Sequence, residues 1–194
     1  MREMKNVEER ILDRALYLMG KNKRCDISIR AIAKEAGVNV SAINYYFRTK
    51  EEMLRLVKEF YIGNTQAVLD ILKDRTLEDE ERLLLAANEI MEYALRFPGN
   101  MVIHTHSLTA AASDEASATI VSLSEEIGLL LQQALGRIAP GDEMALHFKY
   151  VIFTSSVNYP AESEEMAPSI QDLLEDREGR LKYLRLLLDS LKAV

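Results

Sequence analysis

Between Ser28 and Lys50 the chain gathers side chains suited to gripping a polyanion and reading its edges. Asn44 can pair bidentately with adenine, Ser41 can bond a base edge or a phosphate, and Ala42 can touch a thymine methyl. Tyr45 and Tyr46 can offer hydroxyls to phosphates. Ser28 and Lys50 fall in the first turns of two expected helices, whose N-termini attract anions. Together with Arg30 they can clamp a phosphate backbone on either side of a groove.

Such side chains need rigid supports, and the surrounding pattern supplies them. Ser28 is a good N-cap, and Ile29, Ile32, Ala33 and Ala36 make one apolar face of a helix that Gly37 stops. Asn39 can cap a third, short helix running to about Tyr46. With Ile43 turned inward, Phe47 follows it one turn on. Ser41 and Tyr45 then point directly away, with Ala42 and Asn44 on the flanks. Ala33, Gly37 and Ile43, at i, i+4 and i+10, fit two short helices crossing steeply about a tight turn, the helix-turn-helix arrangement. Upstream, Val7, Ile11, Ala15 and Leu18 recur at helical spacing. Downstream, Thr49 and Glu52 form a capping box that opens a fourth helix of about 24 residues.

Charge is unevenly placed. The net formal charge is −7, yet residues 1–60 carry +4 and the remainder −11. That split suits a basic head that meets a polyanion and an acidic body that does not.

The segments ILDRALYLM (11–19), SIRAIAKEAGV (28–38) and SAINYYFRTKEEML (41–54) resemble the DNA-binding head of the tetracycline-repressor-like (TetR) family of bacterial regulators. The resemblance covers about the first quarter of the chain, from about Val7 to Leu56. It implies an all-α protein: a three-helix head over residues 1–50 and a helical effector-binding and dimerisation body over 51–194, about nine helices in all. It implies that Asn39, Val40, Ser41, Ala42, Asn44 and Tyr45 take the recognition helix, that Tyr46 contacts phosphate, and that Lys50 contacts the backbone from the fourth helix. It further implies a homodimer on a near-palindromic double-stranded operator, most simply a repressor released by a small-molecule effector. Ser41 stands where the family often has Gly, Asn44 where an aromatic is common, and Lys23 and Arg24 near a usual Gly-aromatic turn. These departures bear on the operator sequence.

In the body, helices are expected at about 77–97, 99–111, 114–137, 141–157 and 177–193, with 158–176 as the longest connection. Ser169 to Leu174 can make a turn or more, and Glu162, Glu164 and Glu165 read as a solvated acidic loop. Phe148, Val151 and Ile152 on one helix, with Leu181, Leu184 and Leu188 on the last, form apolar stripes suited to a partner copy or to intrachain core. Tyr93, Phe97, Met101, His104 and Phe153 are candidates to line an effector site, since Met and aromatic side chains suit an adaptable apolar cavity. His104 and His106 lie two apart and face different sides of a helix, so no metal site is expected. Cys25 alone gives no disulfide framework and fits a reducing cytoplasm.

The N-terminus lacks an apolar signal region, and no run of about 18 apolar residues is long enough to span a membrane. No nucleophile elbow, phosphate loop or zinc motif is present, so neither an enzyme nor a cofactor is expected. An activator or ligand-independent regulator on the same scaffold fits the same residues. So does a helical protein-interaction module.

Overall fold

The computed structural model describes residues 6–162 and 168–193, with the backbone alone at 162 and 168–171. Among the described residues there are ten α-helices and no strand: α1 (Val7–Asn22), α2 (Ile29–Ala36), α3 (Val40–Tyr46), α4 (Lys50–Lys73), α5 (Asp79–Arg96), α6 (Gly99–Ala110), α7 (Glu115–Ile138), α8 (Glu143–Glu162), α9 (Pro168–Glu175) and α10 (Arg177–Lys192). The all-α expectation holds. The count rises from about nine because the turn expected near 169–174 is the helix α9.

Local chemistry sets the helix ends. The Asn6, Ser28 and Asn39 side chains accept from the amides of Glu9 (2.8 Å), Ala31 (3.2 Å) and Ala42 (2.7 Å), closing the N-termini of α1, α2 and α3. At α4 the Glu52 amide donates to Thr49 Oγ1 (3.0 Å), and the Glu52 carboxylate accepts from the Arg48 amide (3.1 Å). Gly37 ends α2 at φ +64°, a left-handed conformation that costs a side chain roughly 1–2 kcal/mol. Lys23 ends α1 at φ +51°. It closes that helix with hydrogen bonds from the Lys23 amide to the Gly20 carbonyl (3.1 Å) and from the Arg24 amide to the Met19 carbonyl (3.2 Å). The departure noted at Lys23 and Arg24 is thus a lysine doing a glycine's backbone work.

The expected loop from residue 158 is corrected, because α8 runs on through Pro160 to Glu162. Proline lacks the amide that would bond the Ser156 carbonyl four residues back. That carbonyl instead accepts from Tyr183 Oη at 2.9 Å, which lets the last turn persist. Glu164 and Glu165 lie outside the described residues.

The chain forms two compact units, Met1–Gly63 with Phe97–Val121, and Asn64–Arg96 with Ser122–Val194. In the first, Ile11, Leu16 and Met19 of α1, Ile32 of α2, Ile43 of α3 and Met53 of α4 are fully buried. Helix α6 joins this unit by crossing α1 backbone to backbone. A Cβ on Gly99 would lie 2.2 Å from the Leu16 carbonyl oxygen, and one on Gly20 2.5 Å from the Pro98 carbonyl carbon. Only hydrogen fits at either position.

The second unit has its core among Leu83, Ala87 and Met91 of α5, Leu131 and Leu135 of α7, Phe153 and Val157 of α8, and Leu184, Leu188 and Leu191 of α10. Among the described residues, no helix is long and apolar enough to cross a membrane.

Candidate nucleic-acid interface

The short helix α3 is pinned from behind. Ile43 is 0% and Phe47 2% exposed, as the spacing predicts. Asn39, Val40, Ser41, Asn44, Tyr45 and Tyr46 are exposed on the other side, with Ala42 partly covered. Tyr45 is 81% exposed and stacks edge-on against Tyr46, ring centres 5.2 Å apart. The Ser41 hydroxyl donates to Asn39 Oδ1 (2.7 Å), which already accepts the Ala42 amide. Asn39 therefore serves the cap, whereas the Asn44 amide projects from an exposed position.

The two expected phosphate-facing helix ends lie in the same unit. Ser28 and Arg30 are exposed at the start of α2. Lys50, in the first turn of α4, forms an ion pair with Asp26, just before the α2 cap. Sequence reading passed over Asp26. A hydrogen bond from Lys50, the Lys50 charge and a smaller contribution from Arg24 pull its carboxyl below the usual range.

A second pair in this unit was also missed. Lys58 of α4 is 4% exposed, and its ammonium donates to Asp114 Oδ2 and Ser117 Oγ, both at 2.9 Å. Asp114 also accepts the Ser117 amide at 2.7 Å, closing the start of α7. Hydrogen bonding from Ser117 and then Lys58 brings its carboxyl from 3.8 down to about 2. The D-x-x-S pattern at 114–117 is a capping signal legible in sequence. The lysine that joins it lies 56 residues away and is not.

The five effector-site candidates fall in both units. Phe97, Met101 and His104 belong to the first, Tyr93 and Phe153 to the second. Phe97 is buried and packs edge-on against Phe60, ring centres 5.1 Å apart. Phe153 is core, and Tyr93 packs on that core. Met101 is exposed. His104 is half-buried, and desolvation pushes its imidazole below the ordinary value, favouring the neutral ring. On the same helix, Ser107 Oγ, Asn100 Oδ1 and His106 Nδ1 are buried without a hydrogen-bond partner. Burial raises the Cys25 thiol, which makes a poor nucleophile. Among the described residues no group of three His, Cys, Asp or Glu could hold a metal ion.

The two apolar stripes behave differently. Phe148, Val151 and Ile152 of α8 are exposed together with Met144 and Tyr159. Leu184 and Leu188 are fully buried in the chain's own core, and Leu181 packs against it. Of the two readings open for this stripe, Leu184 and Leu188 take the intrachain one, packed in the same unit as α5 and α8, whereas Leu181 stays partly exposed. Close by, the buried Arg180 guanidinium donates to Asn88 Oδ1 (3.0 Å), Glu92 Oε2 (2.5 Å) and the carbonyls of Leu174 (3.1 Å) and Glu175 (2.8 Å).

A family model described as bacterial regulatory proteins of the tetR family matches residues 11–57. The probable HTH-type transcriptional regulator YttP of Bacillus subtilis (strain 168) is 32% identical over 90 residues, 45% of this chain and 44% of that protein. The match thus spans less than half of the relative's length. Among solved structures, the ketosteroid transcriptional regulator KstR2 of Mycobacterium tuberculosis aligns with a TM-score of 0.71 at 16% identity, over 97% of this chain and 96% of that one. AibR, in complex with isovaleryl coenzyme A and operator DNA, aligns at 0.60 and 16% identity over 92% and 98%. These two likenesses show a shared fold along nearly the whole chain.

Proposed function

We propose, from the match of residues 11–57 to the TetR family of bacterial regulators and the likeness to a probable HTH-type transcriptional regulator, that this chain is a TetR-type repressor in the cytoplasm. It binds a near-palindromic operator as a homodimer and is released by a small organic effector. Residues 1–50 read the DNA, and 51–194 pair the copies and hold the effector.

The observation that carries this reading is the support of α3. A helix fixed by two buried side chains, Ile43 and Phe47, presents Ser41, Asn44 and Tyr45 to its surroundings in one rigid set. Base edges in a major groove demand such a set, because bidentate pairing tolerates little displacement. Tyr46, Arg30 and the Ser28 end of α2 supply phosphate contacts that fix the register.

Pairing follows from α8. Its exposed Met144, Phe148, Val151, Ile152 and Tyr159 make one apolar side that a second copy covers symmetrically. Two copies place two α3 helices on half-sites about 34–36 Å apart.

Release follows from the first unit's internal contacts. There α6 meets α1 at the Gly20–Gly99 crossing, and α7 meets α4 through Lys58. An effector that favours another position of α6 or α7 shifts the head, and it acts only through its differential affinity for the two states. A tenfold loss of DNA affinity requires about 1.4 kcal/mol of coupling. AibR is seen with an acyl-CoA and operator DNA. For this chain we propose only an apolar-bodied organic ligand with hydrogen-bonding groups that match Asn100 and Ser107.

Fluorescence anisotropy with duplexes from the chain's own genomic neighbourhood tests the reading. Salt-sensitive binding that prefers one of them over shuffled DNA is expected, weakened by Tyr46→Phe. Equal binding to every duplex in dilute buffer would overturn it. Target expression that rises when the gene is deleted identifies a repressor.

A further inference from the structure

Resting on the DNA-binding reading, we propose that Asp26 is a built-in competitor for DNA phosphate, holding Lys50 and thereby lowering the head's affinity for all duplexes alike.

Three observations carry this. First, the ion pair joins residues 24 apart in sequence, from the approach to α2 and the first turn of α4. These are the two helix ends placed to receive phosphates, so the carboxylate sits where an incoming anion would bind. Second, Asp26 is one of only two acids among residues 23–50, against six Lys and Arg. A polyanion-binding surface places a negative charge against its own lysine only at a loss of affinity. Third, the Asp26 side chain is 88% exposed and the Lys50 side chain 37%. The pair adds little to folding, as exposed pairs generally do, and both charges remain within reach of a third.

The consequence for binding is a matter of charge balance. When the Lys50 ammonium moves to a phosphate, it leaves a bare carboxylate beside the duplex. No net charge is neutralised in that exchange. With Asn at position 26 the same contact neutralises one phosphate and releases its condensed counterion. Such a device suits a regulator that must leave random DNA quickly, since the affinity it removes is independent of sequence.

The test is a four-variant cycle on the full-length protein: wild type, Asp26→Asn, Lys50→Ala and the double variant. Each is titrated with a duplex from its own upstream region and with a shuffled duplex of the same length, across a salt series. Asp26→Asn is expected to tighten both duplexes by about three- to fivefold in dilute salt, the range an exposed pair permits. The ratio between the duplexes stays unchanged, and the slope of log affinity against log salt steepens by about 0.9. In the Lys50→Ala background the same change yields little, because the competitor then has nothing to hold.

An Asp26→Asn variant that binds like wild type overturns the proposal. So does a gain of the same size without Lys50, which would make Asp26 a simple repulsive charge. The shuffled duplex keeps this test separate from the operator reading. Loss of sequence preference sinks that reading alone, whereas an unaltered salt slope sinks this one. Thermal melts check that every variant is folded.

Discussion

Helices α3 and α8, one in each compact unit, both leave a side uncovered among the described residues, with different chemistry. The outer side of α3 carries the Ser41 hydroxyl, the Asn44 amide and the phenols of Tyr45 and Tyr46, with Val40 at its start. Water solvates its polar groups while it stands free, and on the proposed function those groups exchange their waters for base edges. The outer side of α8 carries Phe148, Val151 and Ile152 at 59%, 56% and 48% exposure. With Phe153 and Val157 buried behind it, this helix is apolar on two sides, the pattern of a helix meant to be covered on both. On the proposed function, the contrast separates a surface for occasional contact from one for standing contact. Two of the buried cations also differ. Lys58 holds one carboxylate and one hydroxyl at a helix start. Arg180 ties α5, α9 and α10 together with a fork of donors.

Four changes probe that contrast. The largest effect is expected from Arg180→Ala, which strands the buried Asn88, the Glu92 carboxylate and two α9 carbonyls. Removing one partner of a buried pair costs about 3–5 kcal/mol, and a denaturant midpoint that barely moves would show that the fork is dispensable. Next is Phe148→Glu with Ile152→Glu on α8. Sedimentation should show monomers, and operator affinity should fall at least about a hundredfold as the second head is lost. A dimer that survives both charges would locate the interface elsewhere.

On α3, Asn44→Ala should cost about 1–3 kcal/mol against the preferred operator and relax selectivity at one base pair. A uniform loss across all sequences would instead make Asn44 a backbone contact. The smallest effect is acid dependence at Asp114. Its folded carboxyl lies near 2, below the ordinary 3.8, so its stabilisation is complete above about pH 4 and fades as pH falls toward 2. Wild type should melt above Asp114→Asn at neutral pH, and the gap should close between pH 4 and 2. A gap independent of pH would remove the carboxylate's charge from the account.

The head was legible because its signals are local. Caps at Ser28, Asn39 and Thr49, the stop at Gly37 and the inward pair Ile43 and Phe47 all lie within a few residues of what they control. The body was less so. Its leucine stripe on α10 reads the same whether a partner or the chain's own α5 covers it, because periodicity reports a buried face and not what buries it. Pro160 suggested a loop for a similar reason. The hydroxyl that rescues the helix belongs to Tyr183, beyond any local window.

The sequence by itself determined about nine helices' worth of apolar spacing, the turn at Gly37 and the outward set on α3. Backbone preference and side-chain periodicity are written residue by residue. Only the tertiary structure decided that Lys50 meets Asp26, that Lys58 reaches Asp114, that α6 crosses α1 through two glycines, and that Leu184 and Leu188 of α10 go inside while Phe148, Val151 and Ile152 of α8 stay out. Each of these depends on which distant segments approach within a few ångströms, and no spacing along the chain encodes that distance.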